Sequence, residues 1–252
     1  MTVILSILSA KGGVGKTTTC TNLAAALVQR GKSVIAIDGN ITTPNLGIHL
    51  GVPLYPTTLH DVLSGRASLS QATYIHPSGI KVIPASLSVN AVRSSHAEKL
   101  HRILRGLFDR KGFILIDGAA GLGKEARASM YASDGVIIVT NPEIAAVTDA
   151  FKAIKLAERR GTKIAGVIIN RVSGKKYEMK IEDIKDMLGC DILGIVPEDS
   201  AVPESISSKM PVVQYKPRSK ASIGFKKAAA TLLGEKYDYK PGIFEQLSSW
   251  FR

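Results

Sequence analysis

The chain has 252 residues, 45% hydrophobic and 6% aromatic, which supplies one large core and argues against disorder over most of its length. Its 33 basic and 21 acidic residues leave a net charge of +12, an excess that favours anionic partners such as nucleotide, acidic lipid or nucleic acid. Cys20 and Cys190 lie far apart and form no C-x-x-C pair, which speaks against a zinc ribbon or a redox dithiol, and no apolar stretch approaches the roughly 20 residues that span a bilayer.

Short β-branched runs recur along the chain, at residues 3–8, 33–38, 81–83, 113–117, 135–140, 163–170 and 192–196. They are nearly continuous in Val, Ile and Leu rather than alternating, as strands buried on both faces are. The first run is short and lacks a basic leader, so it reads as a strand and not as a signal peptide. Helical stretches fall between the runs, over residues 18–30 ended by Gly31, 97–110 ended near Gly112, and about 144–160 closed by Gly161. Strands alternating with helices predict an α/β fold, a doubly wound, mostly parallel sheet flanked by helices, with ligands bound beyond the carboxyl ends of the strands. Residues 1–235 make this domain; residues 236–242, with two tyrosines, a proline and a glycine, read as a linker; residues 243–252 read as a terminal amphipathic helix.

The strongest signal is Ser9-Ala10-Lys11-Gly12-Gly13-Val14-Gly15-Lys16-Thr17-Thr18, set between a buried strand and a helix. Glycines let the backbone curl until several N–H groups face one anion, and the helix that follows adds the positive end of its dipole. Lys16 is placed to reach the β- and γ-phosphates, and the Thr17 hydroxyl to ligate Mg²⁺. The loop is a variant of the standard pattern, with Ala10 where glycine is usual and a second lysine, Lys11, at its entrance. Asp38 and Asp117 each end an apolar strand, where P-loop enzymes hold the magnesium shell.

Through this loop the chain resembles the MinD/ParA group of ATPases, whose deviant loop reads K-G-G-x-G-K-T, and the likeness extends over nearly the whole sequence. The resemblance implies ATP and Mg²⁺ as cofactors and a homodimer that sandwiches two ATP molecules, with Lys11 crossing to the partner's nucleotide. It assigns Asp117 to the magnesium shell and the segment Asp117-Gly118-Ala119-Ala120-Gly121 to sensing the γ-phosphate. It likens residues 38–46 to the family's first switch region, where relatives usually carry an aspartate at the place of Asn40. An amide orients a water but cannot take its proton, so slow turnover is expected. The resemblance also gives Asn170, with Arg171 beside it, and the segment from Pro197 to Asp199 to the adenine pocket; an asparagine carries both a donor and an acceptor for a purine edge.

On a helix at about 100° per residue, Ile243, Phe244, Leu247, Trp250 and Phe251 fall within about 120°, with polar residues filling the rest. Bulky apolar and aromatic side chains on one face of a terminal helix read as an interfacial membrane anchor. The MinD branch ends in a comparable helix, often more basic than this one, which has Glu245 and a single Arg252. The expectation is thus a cytoplasmic ATPase, reversibly peripheral at the inner face of the cell membrane, acting with further regulatory proteins in spatial regulation. The alternative is a ParA-like partition ATPase that binds DNA non-specifically through its basic surface. A metallocluster relative would need paired or bridging cysteines, and a tyrosine autokinase a richer C-terminal cluster than Tyr237 and Tyr239.

Overall fold

The strand that leads into the glycine-rich loop is also the centre of the sheet. In the computed structural model, which describes residues 2–52, 55–87, 99–105 and 112–237, β1 (Thr2–Ser9) lies between β5 (Gly112–Ala120) and β6 (Gly135–Thr140) and runs parallel to both. On one side the sheet continues with β2 (Val34–Asp38), β4 (Lys81–Ile83) and β3 (Tyr74–Ile75), and on the other with β7 (Lys163–Val172) and β8 (Ile192–Pro197), in the order β3-β4-β2-β5-β1-β6-β7-β8. Every expected strand is present. The addition is β3, antiparallel on β4 and two residues long, which is too short to leave a periodic pattern in sequence.

Both faces of the central strands are covered, which is why they read as unbroken apolar runs. Leu5 and Ile7 point with Val34, Ala36, Leu115, Ile137, Val139 and Ile168 towards α1 (Lys16–Gln29) and α10 (Lys220–Leu232). Leu8 points the other way, onto α5 (Lys124–Tyr131), α6 (Ile144–Arg159) and α7 (Ile181–Leu188), through Ala126, Met130, Ala150, Ile154 and Ile184. Ile4 joins Ile37, Ile114 and Ile116 under α3 (Leu59–Leu63) and α4 (Leu100–Arg105). Side chains that alternate between two apolar layers each contribute about 1.5–3 kcal/mol on burial, so neither face tolerates a polar register slip. Three short helices complete the described chain: α2 (Leu46–His49), α8 (Ala201–Ser207) and α9 (Val212–Tyr215).

The helix boundaries follow the sequence signals closely. Gly31 and Gly161, at φ 73° and 72°, take the left-handed conformation just past α1 and α6. Of the helix expected over residues 97–110, the described residues 99–105 carry α4, and residues 97–98 and 106–110 lie outside them. The expected strand end at Asp117 falls short, because β5 runs on to Ala120. Pairing with β1 continues past a register shift, so that Ser9 sits opposite Ala120, and Gly121 N donates to Ser9 O at 2.9 Å. Gly118 is therefore a close-approach glycine rather than a loop glycine. A Cβ there would stand 2.5 Å from Leu8 Cδ2 and 3.1 Å from Ile7 O. After α10, Lys236 and Tyr237 continue without helix; the remainder of the expected linker and the whole of residues 243–252 lie outside the described residues.

Candidate functional site

The carboxyl ends of β1, β2, β5, β6 and β7 surround the loop of residues 10–15. Gly13 and Gly15 adopt φ 79° and 90°, which turns the chain back before α1 begins. That helix starts at Lys16 with no side-chain cap and no acidic residue in its first turn. Its first N–H groups and the positive end of its dipole are left facing the loop, an arrangement that suits an anion. A Cβ added at Gly12 or Gly13 would meet nothing within 4 Å, so one wall of the loop is open.

Behind the loop, the two side chains that begin α1 converge on one carboxylate. Lys16 Nζ lies 3.1 Å from Asp117 Oδ1, and the Thr17 hydroxyl donates to Asp117 Oδ2 at 2.6 Å, all three residues being buried. Asp38 stands opposite Asp117 in the pairing of β2 with β5. Its oxygens accept the N–H groups of Asn40 at 3.2 Å and Leu46 at 3.0 Å. Burial, and then the neighbouring Asp117 charge, push the Asp38 carboxyl well above the usual carboxylate range, against the pull of those two backbone donors.

The segment after Asp38 and the segment after Asp117 face each other across a cleft of about 330 Å³, lined among others by Asn40, Thr43, Ala120 and Gly123. Asn40 is buried and closes on its own loop: its Nδ2 donates to Thr43 O, and its Oδ1 accepts the Thr43 hydroxyl at 3.1 Å. Thr42 reaches across instead, its hydroxyl meeting Glu125 Oε1 and its N–H pointing at Glu125 Oε2, 3.4 Å away. Gly121, at φ 84°, is where the second segment leaves the sheet.

The two loop lysines diverge. Lys16 is buried on Asp117, whereas Lys11 is half exposed and forms an ion pair with Glu143, 3.0 Å away at the start of α6. Beyond β7, Asn170 is buried, and its Nδ2 donates to Val14 O at 2.8 Å. Arg171 is exposed and adopts φ 57°, the left-handed region, where the pairing of β7 with β8 shifts register. For a residue with a Cβ this conformation costs about 1–2 kcal/mol. Pro197 ends β8 opposite Val172. The oxygens of Asp199 accept the N–H groups of Ala201 at 2.9 Å and Ala221 at 3.0 Å, tying the starts of α8 and α10 together. Desolvation raises that carboxyl, but the backbone donors outweigh it and hold it below its ordinary range.

Residues 5–212 match the family model described as the CobQ/CobB/MinD/ParA nucleotide binding domain. The chain belongs to the MinD/ParA family of P-loop ATPases. Within that family its likeness is to MinD. It is 37% identical to the cell division ATPase MinD of Pyrococcus furiosus, covering 93% of this chain and 99% of that one with a TM-score of 0.90. It is 38% identical to the septum site-determining protein MinD of Pyrococcus horikoshii, solved in complex with Mg-ADP, over 91% of this chain and 95% of that one, with a TM-score of 0.88. An ATP-binding protein of Methanocaldococcus jannaschii is 40% identical over 238 residues, 94% of this chain and 90% of the relative.

ATP and Mg²⁺ are the ligands of this MinD-like site, and the residues present fit both. An open loop wall, an uncapped helix end and Lys16 suit phosphates. The Thr17 hydroxyl beside two buried, mutually repelling carboxylates offers the hard oxygen donors that magnesium takes. Among the described residues no group of three or more His, Cys, Asp or Glu is placed to hold a metal, and a magnesium ion bound through phosphates, water and one or two carboxylates needs none. Three residues at this site carried no strong sequence signal: Asn141, Glu143 and Glu125. Asn141 and Glu143 stand in an Asn-Pro-Glu sequence that resembles the family's but whose local reading is only a helix start, and Glu125 sits in a first helical turn where acids are common.

Proposed function

We propose that this chain is an ATP-operated switch that dimerises around its nucleotide and, as a dimer, attaches to the inner face of the cell membrane to act in spatial regulation, as in the positioning of cell division. The observation that carries this reading is the divergence of the two loop lysines. Lys16 is committed to its own loop and Asp117. Lys11, resting on Glu143, is turned outward at the open side of the site and is free to serve a second subunit once it leaves that carboxylate. The ATP hydrolysis of the family ends the dimeric state, at a rate that the amide of Asn40 keeps low. Thr17, Asp117 and Asp38 hold the magnesium side of the site, while Asn170, Arg171 and Pro197 take the base.

Sedimentation velocity tests the dimer. With saturating Mg-ATP the full chain sediments as a dimer, and with ADP as a monomer. Lys11→Ala stays monomeric in ATP while binding the nucleotide within about threefold of the parent, since a half-exposed ion pair contributes little to the loop itself. A wild-type chain that remains monomeric in Mg-ATP overturns the reading. The basic excess of +12 favours a second reading, in which the ATP-bound dimer binds DNA non-specifically. ATP-dependent retardation of DNA of arbitrary sequence, without binding to anionic liposomes, would decide for it.

A further inference from the structure

Asn141, at the end of β6, has no role in the binding or hydrolysis described so far. It is buried, and its side chain faces two backbone carbonyl oxygens, that of Val14 in the phosphate loop and that of Asn170, each 3.2 Å away. Two acceptors settle which end of the amide meets them: its nitrogen, which donates to both. Val14 O also receives Asn170 Nδ2 at 2.8 Å. One carbonyl in the middle of the loop is therefore held by two buried amides from the ends of neighbouring strands, and those two strand ends are tied to each other.

Peptide planarity gives this grip a consequence for the ligand. In a trans peptide the C=O and the following N–H point in opposite directions. With Val14 O turned to the asparagines, the N–H of Gly15 is turned away from them. Gly15 adopts φ 90° and, lacking a Cβ, sets no steric barrier of its own to rotation of the Val14–Gly15 peptide. A rotated peptide would replace an N–H donor by a carbonyl oxygen on the side where phosphate oxygens must sit. Asn170 packs so tightly that a Cβ on Gly15 would stand 2.2 Å from its Nδ2, so the asparagine also occupies the space into which a larger residue would grow.

We infer that Asn141 is a positioning residue: together with Asn170 it locks the Val14–Gly15 peptide in the orientation that offers the Gly15 N–H to the polyphosphate. It touches neither phosphate nor base and acts through the loop backbone. Asn170 is thereby shared between the base side and the phosphate side of the site, and Asn141 belongs to the phosphate side.

The test is Asn141→Asp, which keeps the shape and turns a donor into an acceptor facing two carbonyls. Calorimetry is run with Mg-ATP and with magnesium tripolyphosphate, which has no base. Affinity for both falls by the same factor, about tenfold or more, because a buried donor is lost and repulsion takes its place. In the nucleotide-free protein, the Gly15 amide exchanges faster and its NMR signal broadens from peptide rotation. Asn141→Ala, which removes the donor without adding charge, shows the same pattern more weakly and serves if the aspartate variant does not fold. Unchanged affinity in a folded variant overturns the inference, and so does a loss confined to ATP, since that places Asn141 on the base. A wild-type chain that binds tripolyphosphate yet stays monomeric in ATP sinks the dimer proposal and leaves this one standing.

Discussion

At position 40 an amide stands between the buried carboxylate of Asp38 and the hydroxyl of Thr43. Its backbone N–H is taken by Asp38, its Nδ2 by Thr43 O, and its Oδ1 by the Thr43 hydroxyl. With each of these groups closing the first switch segment on itself, the side chain acts as a brace. In the proposed switch that segment rearranges around nucleotide, where an amide can still hold a water in place but has no basic oxygen to accept the proton. A carboxylate at the same point does both. Asn40→Asp is expected to raise the single-turnover hydrolysis rate by at least about tenfold, the low end of what a positioned general base supplies. ATP affinity stays within about threefold, because the hydrogen bonds of Asn40 go to Asp38 and Thr43 and not to the loop that binds phosphate. Quenched-flow measurement with excess enzyme reads the rate directly, and an unchanged or slower variant overturns the proposed link between Asn40 and slow turnover.

At the scale of elements, the sequence showed most plainly what depends on local physics. The seven expected strands were legible because their runs are apolar and those at the centre of the sheet are buried on both faces, and the loop was legible because its glycines and lysines sit between a strand and a helix. Contacts that depend on distant parts of the chain left no local trace. Lys11 meets Glu143 across 132 positions, and Asn170 meets Val14 across 156. The length of β5 was misjudged for a related reason: Gly118 looks like a loop residue until Leu8 is seen packed against it. The same holds for His76, which staples the turn between β3 and β4 to the chain after α8. Its Nδ1 accepts the Ser78 N–H at 3.0 Å, so the ring is neutral there, and its Nε2 donates to Lys209 O at 3.1 Å. Burial lowers the His76 pKa below its ordinary value, and His49 and His60 are lowered from the same first cause. In the unfolded chain a histidine titrates near about pH 6.5, so below that pH the unfolded state binds more protons than the folded one. The stability these rings contribute is present above about pH 6.5 and is lost as pH falls below it and through the lowered folded values. The Asp199 carboxyl, held low in the fold, adds to the loss at more acid pH, below the ordinary carboxylate range. Urea melts between pH 7.5 and pH 5.5 should show the midpoint falling with pH. His76→Gln should be less stable at pH 7.5 by roughly 1–2 kcal/mol, from weakened hydrogen bonds, and its midpoint should depend less on pH. A variant whose pH slope matches the parent's would assign the acid loss to other groups.

At the scale of the whole molecule, the glycine-rich loop and Tyr237, the last residue described, lie towards opposite ends of the sheet. The loop sits at the carboxyl ends of the strands. The chain leaves α10 beside the far end of α1, where Arg30 pairs with Glu235 and stacks over the Tyr237 ring, 5.7 Å from its centroid. No described helix is long and apolar enough to cross a membrane, and the proposed lipid contact is a surface one. The sequence offers Ile243, Phe244, Leu247, Trp250 and Phe251 for it. In the proposed switch residues 243–252 form a helix at the bilayer; a helix so short is marginal in water, and one copy would hold a bilayer weakly. Two copies on one dimer turn the second contact into an intramolecular event, which raises avidity by about 10²–10⁴ when both can reach the surface together. On that proposal the nucleotide controls attachment through dimerisation alone, with no movement relayed from the loop to the tail. Three chains separate this from its rivals in co-sedimentation with anionic liposomes: the full chain, a version cut after Lys240, and Lys11→Ala. The full chain should pellet with ATP and stay in solution with ADP, while the other two stay in solution with either nucleotide. Equal pelleting in ATP and ADP would mean that a single tail suffices and that dimerisation does not gate attachment. Pelleting of the version cut after Lys240 would move the lipid contact onto the basic body of the protein.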